Sequence, residues 1–354
     1  MLYGIAAATA ALLIAAFLSA LFRLPALRLG VIDRRRQRPL PLLGGAGVVL
    51  TTCLVVAGWE WAGIAPLGPE IRRLLIAAGA VALLGLVADV RRVKARFLVG
   101  GTAVAAACVV PYGETGFLLG VPAVGCIVLV TLGFKSLDHA DGLAGTVGVV
   151  TAFGVGLLAA AEVMDALAVL LSVLAAALTG FLMHNWPPAR IGFGACGSLF
   201  VGFVLAASAV MSRAGRDPVS GAGVLYALTA LATADLLLVA LSRRLAGRPL
   251  LRGGPDHLAH RMRRLGLTPP GVTVLLGVAA FAGVLVAVLV HMGWMAVSGV
   301  YWVGATAFIA VLGLLRIKVY GARRQPSFPL GDPFGTATHA TSTQVTGQLR
   351  VRNG

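Results

Sequence analysis

Gly133-Phe134-Lys135-Ser136-Leu137-Asp138-His139-Ala140-Asp141-Gly142-Leu143-Ala144-Gly145 is the stretch that decides how the chain is read. Two carboxylates, Asp138 and Asp141, stand between apolar runs at 116–134 and 143–161, each close to the length that crosses a bilayer. An ionised carboxylate in hydrocarbon costs several kcal/mol, so the pair lies at a membrane surface or has a task. If the segment is helical, the i, i+3 spacing points both carboxylates to one side. Such a pair suits a divalent cation, since magnesium takes one or two protein carboxylates together with substrate phosphates. For this segment alone, a short solvated loop with ordinary surface acids is the alternative.

Working outward, composition gives the class. Hydrophobic residues make up 58% of the chain and charged residues 12%, with a mean hydropathy of +0.93. A soluble domain carries roughly twice that share of charge, so the chain reads as a polytopic, all-α integral membrane protein. A net charge of +16 would suit nucleic acid in a soluble protein. In a membrane protein basic residues report orientation, so no nucleic-acid partner is expected. Cys53, Cys108, Cys126 and Cys196 stand singly in or beside apolar runs, without the pairing of a disulfide framework or a zinc site.

Eleven spans are expected, near 2–22, 42–64, 74–88, 97–112, 116–134, 143–161, 166–183, 197–212, 219–242, 271–290 and 294–315. The third, between Arg73 and Asp89, is the shortest and least clear. The first has no basic residue ahead of it, while Arg23 and Arg28 follow, which predicts a retained span with its N-terminus outside. Alternation from there puts 25 of the 29 basic residues inside and only Arg72, Arg73, Arg213 and Arg216 outside. That division predicts an N-out, C-in topology. A transmembrane domain over 1–320 would be followed by a disordered cytoplasmic tail over 321–354, rich in Ser, Thr, Gly and Pro.

The same alternation gathers the polar constellations on one face: 33–45, Asp89, Asp138 with Asp141, 184–198, and 256–264. A transporter would hold its polar groups near the midplane, often with repeat symmetry. An enzyme joining a soluble anionic substrate to a lipid would gather acids, histidines and arginines at one interface, as here. Asp235 is the clear mid-span acid; an acid held by a neighbouring helix is as good a reading of it as a catalytic role.

Five segments in order now carry a resemblance. Asp138-His139-Ala140-Asp141-Gly142-Leu143 resembles the Asp-Gly-x-Asp-Gly-Leu motif of the polyprenyl-phosphate N-acetylhexosamine-1-phosphate transferases. That is the glycosyltransferase family 4 superfamily, which includes phospho-N-acetylmuramoyl-pentapeptide transferase. Asn185-Trp186-Pro187-Pro188-Ala189-Arg190 followed by Gly194-Ala195-Cys196-Gly197-Ser198 resembles its Asn-x-Pro-x-Ala and Gly-Asp-x-Gly-Ser segments. Asp256-His257-Leu258-Ala259-His260-Arg261 resembles its histidine loop. Pro39 to Gly45 is similar to its Pro-x-Pro-x-x-Gly-Gly, and Asp235 with Arg243 to its ninth-helix pair.

The resemblance implies transfer of N-acetylhexosamine-1-phosphate from a UDP-sugar to an undecaprenyl-type polyprenyl phosphate, releasing UMP at the cytoplasmic face for cell-envelope polysaccharide. Asp89, Asp138 and Asp141 would be catalytic, with Asp138 and Asp141 holding Mg2+. Asn185, His257, His260, Arg261 and Gly45 would bind substrate. The location implied is a bacterial inner membrane, and a homodimer is a compatible assembly.

The departures are as pointed as the matches. Ala195 stands where the family has a magnesium-binding aspartate, and Ala88-Asp89 where it has an Asp-Asp pair. Lys135 replaces an asparagine, setting a positive charge beside the carboxylates that competes with a metal. The first loop, from Asp33 to Pro39, lacks the family's Lys and His. An inactive paralogue that binds lipid phosphate or nucleotide sugar is therefore the alternative to an active transferase, ahead of a transporter.

Overall fold

A computed structural model describes residues 2–33, 39–63, 67–91, 93–249, 254–317 and 319. Helices α1 (Leu2–Arg28), α2 (Gly44–Trp61), α3 (Gly68–Val90), α4 (Ala95–Val109), α5 (Tyr112–Leu137) and α6 (Leu143–Ala161) form the first half. Helices α7 (Asp165–Asn185), α8 (Gly194–Met211), α9 (Pro218–Leu245), α10 (Leu258–Arg264), α11 (Pro269–His291) and α12 (Gly299–Leu315) complete it. Between α1 and α2, β1 (Ile32–Asp33) and β2 (Leu40–Pro41) make a two-residue antiparallel pair. Each of the eleven expected spans coincides with one helix, the short α10 aside. Among the described residues, nine are long and apolar enough to cross a membrane, and α4 and α12 are shorter apolar helices. The chain is thus an all-α, multi-pass membrane protein. The expected tail at 321–354 and the arginines at 34–36 and 38 lie outside the described residues.

The helix ends differ from expectation where basic residues stand. Helix α1 runs on past 22 to include Arg23 and Arg28, and α3 begins at Gly68 rather than 74, taking in Arg72 and Arg73. Long cationic side chains lie along apolar surface and keep their charge in water, so arginine does not end a span. Arg72 also reaches back to Glu60 of α2 at 3.0 Å.

Helix α8 is the axis of the molecule, buried over its entire length and surrounded by α2, α3, α5 and α6. A helix apolar all round and covered on all sides belongs in the middle of a bundle. Small residues let its neighbours come close. A Cβ at Gly45 would meet the Phe193 carbonyl at 2.3 Å and the Gly197 backbone at 2.4 Å, so α2 and α8 cross there backbone against backbone. The outer faces show Phe17, Ile76, Leu83, Phe153 and Trp302 to the surroundings, as lipid-facing helices do.

Contacts between helix termini bear out the shared face. The C-terminal ends of α3, α5 and α7 meet the N-terminal ends of α8 and α6 (Asp89 to Ala195, Asp138 to Gly194, Asn185 to Gly142). At the opposite end Glu162 joins Arg216 and His291, and Arg213 joins His291 and Ser220. Which end faces the cytoplasm rests on the charge count alone.

Candidate active site

The first four N–H groups of a helix have no partner within it, and in α8 the preceding residue is Phe193, which has no side-chain acceptor. Carboxylates from two other helices take its place. Asp138 Oδ2 accepts from the Gly194 N–H at 3.0 Å. Asp89 accepts from Ala195 through Oδ1 at 2.7 Å and from Cys196 through Oδ2 at 2.9 Å. Three successive amides at the positive end of α8 are thereby closed by two acids, the favourable sign for that end of the helix dipole.

The loop leading into α8 is fastened in the same manner. Asp141 Oδ2 accepts from the Ala189 N–H at 3.1 Å. Asn185 is buried; its Oδ1 accepts from the Gly142 N–H at 3.0 Å, and its Nδ2 donates to the Ile191 carbonyl at 2.7 Å. Gly142 has φ 72°, a left-handed turn that favours glycine and starts α6 directly after Asp141. Gly44 and Gly45 donate to the Gly192 and Phe193 carbonyls. The structure therefore gathers Asp89, Asp138, Asp141, Asn185, Gly45 and Ala195 around residues 186–196. It uses the side chains, and the glycine backbone, to hold that segment.

A magnesium ion at Asp138 and Asp141 would share those carboxylates with the backbone. Both oxygens of Asp89 and one oxygen each of Asp138 and Asp141 accept backbone N–H groups, and Ala195 offers no oxygen. Lys135 is the cation whose field reaches Asp89, against the like charge of Asp33.

A second cluster lies at α10. Asp235 is fully buried and accepts three hydrogen bonds: Ser136 Oγ at 2.7 Å, His257 Nδ1 at 2.9 Å and the Leu258 N–H at 2.9 Å. The last of these caps α10, so the acid is held by its neighbours and also orients them. His139 donates from Nδ1 to the Ser136 carbonyl at 2.7 Å. Its ring stacks on His257 with centroids 4.2 Å apart and lies 5.0 Å from His260. Burial, then the His257 imidazole, pushes the His139 pKa down to about 3, so this ring is neutral. The expected His257 and His260 are thus together, with His139 as a third ring.

Arg261 is not at the disposal of a phosphate, contrary to expectation. It is 2% exposed. Its Nε donates to the Asp256 carbonyl, and its two terminal nitrogens reach the Leu314 and Ile317 carbonyls and Ser242 Oγ. The guanidinium ties α9, α10 and the end of α12 together. Beside it, Arg243 and Asp256 form a buried ion pair at 2.6 Å. Sequence reading passed over Ser136 and His139 as site residues because it followed the carboxylates. The signal was present, a histidine set between two motif aspartates in an apolar chain with six histidines.

Comparison with known proteins agrees with this architecture. The model of glycosyl transferase family 4 matches residues 71–213, from α3 through the end of α8. The chain is 63% identical over 327 residues to SCO3672 of Streptomyces coelicolor, covering 91% of this chain and 80% of that protein, whose glycosyltransferase name is provisional. It is 30% identical over 318 residues to the decaprenyl-phosphate N-acetylglucosaminephosphotransferase of Mycobacterium tuberculosis H37Rv, covering 73% and 76% of the two chains. It is 33% identical over 193 residues to the phospho-N-acetylmuramoyl-pentapeptide-transferase of Moorella thermoacetica, covering 54% and 58%. The homodimer finds no support in these relatives or in the structure. With five motifs in order, an eleven-span frame and these relatives, the chain belongs to glycosyl transferase family 4.

Proposed function

We propose that the protein transfers N-acetylhexosamine-1-phosphate from a UDP-sugar to polyprenyl phosphate at the cytoplasmic face of a bacterial inner membrane, for cell-envelope polysaccharide. The observation that carries this reading is the His257–Asp235 pair, with His260 alongside, next to the loop fastened at the head of α8. A phosphate oxygen of the lipid attacks the sugar-bearing phosphorus, the bond to the bridging oxygen breaks, and UMP leaves. Asp235 accepts from His257 Nδ1, which orients the ring and leaves Nε2 to exchange a proton or a hydrogen bond with phosphate. His260 adds a second imidazole, and Lys135 supplies fixed positive charge near the diphosphate. The cytoplasmic placement is supported by the division of basic residues, and a reporter fused after Arg264 should lie inside and one at Asp217 outside.

The test is UMP release from UDP-N-acetylhexosamines by purified protein with polyprenyl phosphate. Release that depends on the lipid supports the reading. The engagement of Asp89, Asp138 and Asp141 with backbone amides, together with Ala195, favours a second reading, an inactive paralogue that binds the same ligands. Saturable nucleotide-sugar binding without UMP release would select it.

A further inference from the structure

We infer that His139, Asp235 and His257 form a binding site for a divalent transition metal of the zinc class, separate from the carboxylates around α8. Each residue offers one ligand atom, and the three atoms lie within 4.8 Å of one another. Two imidazole nitrogens and one carboxylate oxygen are donors that suit zinc, whereas magnesium takes oxygens in an octahedron. Three protein ligands would leave one position of a tetrahedral ion open, with His260 a further donor close by.

Independent support comes from the tautomer of His139. A carbonyl oxygen accepts only, so the bond from Nδ1 to the Ser136 carbonyl fixes the proton on Nδ1 and the lone pair on Nε2. Among the described residues, that Nε2 is buried and finds no hydrogen-bond partner. A buried acceptor left unsatisfied is costly, and a metal ion is one partner that uses it. The backbone carbonyl behind Nδ1 is also what orients metal-bound histidines in general. Asp235 and His257 are already joined at 2.9 Å through a proton, which an ion would displace. Zinc–nitrogen bonds of about 2.0–2.1 Å set ligand atoms roughly 3.4 Å apart in a tetrahedron. An ion would draw the three ligand atoms to that spacing from within 4.8 Å.

The inference goes beyond the transferase reading and does not rest on it, because the ion binds whether or not sugar phosphate is transferred. The experiment uses chelator-stripped, full-length protein in detergent. It is titrated with Co2+, whose visible absorption reports coordination number, and then challenged with Zn2+. One ion per chain is expected, with tetrahedral bands, displacement by Zn2+ and none by Mg2+, and proton release on binding. His139→Gln should weaken binding by at least ~10-fold, while Asp138→Asn leaves it unchanged. If His139→Gln does not fold, His257→Gln gives the same comparison at the second ligand. No stoichiometric uptake, equal affinity in the histidine variants, or loss in Asp138→Asn alone would overturn the assignment.

Discussion

Two regions of one polar layer treat their acids in opposite ways. At the head of α8, Asp89, Asp138 and Asp141 accept from four backbone N–H groups of loop and helix terminus, at residues 189 and 194–196. At α10, by contrast, one buried acid, Asp235, sets the direction of a histidine, a serine and a helix N-terminus. The first arrangement is spent on holding the backbone. The second leaves ring nitrogens to meet a ligand. The comparison teaches that acids drawn from one polar layer can serve either to fasten backbone or to orient side chains.

The largest expected effect lies on the fastening side. Asp89→Ala leaves the Ala195 and Cys196 amides without their acceptor, each worth about 1–3 kcal/mol when buried. Loss of roughly 2–6 kcal/mol of stability should show as a large fall in the thermal midpoint. Asp89→Asn, which keeps one acceptor, should lose less. A variant as stable as wild type would mean that Asp89 does not close the helix.

Next comes the histidine side. His257→Ala with His260→Ala should weaken nucleotide-sugar binding by about 10- to 100-fold, because a charge-assisted bond contributes roughly 1.5–3 kcal/mol. The thermal midpoint should move far less than for Asp89→Ala. Arg261 does not belong in such a variant, since its removal frees carbonyls on α12 and breaks packing. Unchanged binding in the folded double variant removes the histidines from the substrate site.

A smaller effect is expected for Ala195→Asp. A new carboxylate beside Asp89 should lower the midpoint by a few degrees without metal through like-charge repulsion, and magnesium should restore it. Wild type should show no such magnesium response. Identical behaviour of the two proteins would show that residue 195 does not face the acids.

The last effect, absent at neutral pH, is pH dependence in metal-stripped protein. His139 has its folded pKa near 3 against 6.5 in the unfolded chain, facing His257, His260 and Asp235. The unfolded state therefore takes up the proton first as pH falls. The His139 contribution is complete above about 6.5 and is lost progressively from there toward 3. His139→Gln should flatten that part of the curve, read as midpoint against pH.

The fold was legible because apolar length and the alternation of basic residues are direct consequences of the bilayer. Helix ends were less so: Arg72 and Arg73 looked like loop residues but stand in the first turns of α3. The membership of the site was legible too, as Asp89, Asp138, Asp141 and Asn185 do converge. Their partners were not, because a backbone amide carries no side-chain signature. Nothing in the letter sequence separates a carboxylate that caps α8 from one that waits for an ion. His139 went unread for the complementary reason, since its neighbours Asp235 and His257 are about a hundred residues away along the chain and become neighbours only in the bundle.

One measurement tests the contrast most directly: initial rates of UMP release for wild type, Asp138→Asn and His257→Ala, under one set of conditions with polyprenyl phosphate and a UDP-N-acetylhexosamine. An amide oxygen at 138 still accepts from the Gly194 N–H, so Asp138→Asn should keep its rate within about 10-fold of wild type. His257→Ala should lose at least ~100-fold, the lower end of the range for one general acid–base group. The reverse order, with Asp138→Asn inactive and His257→Ala active, would contradict the account and return the chemistry to the carboxylates.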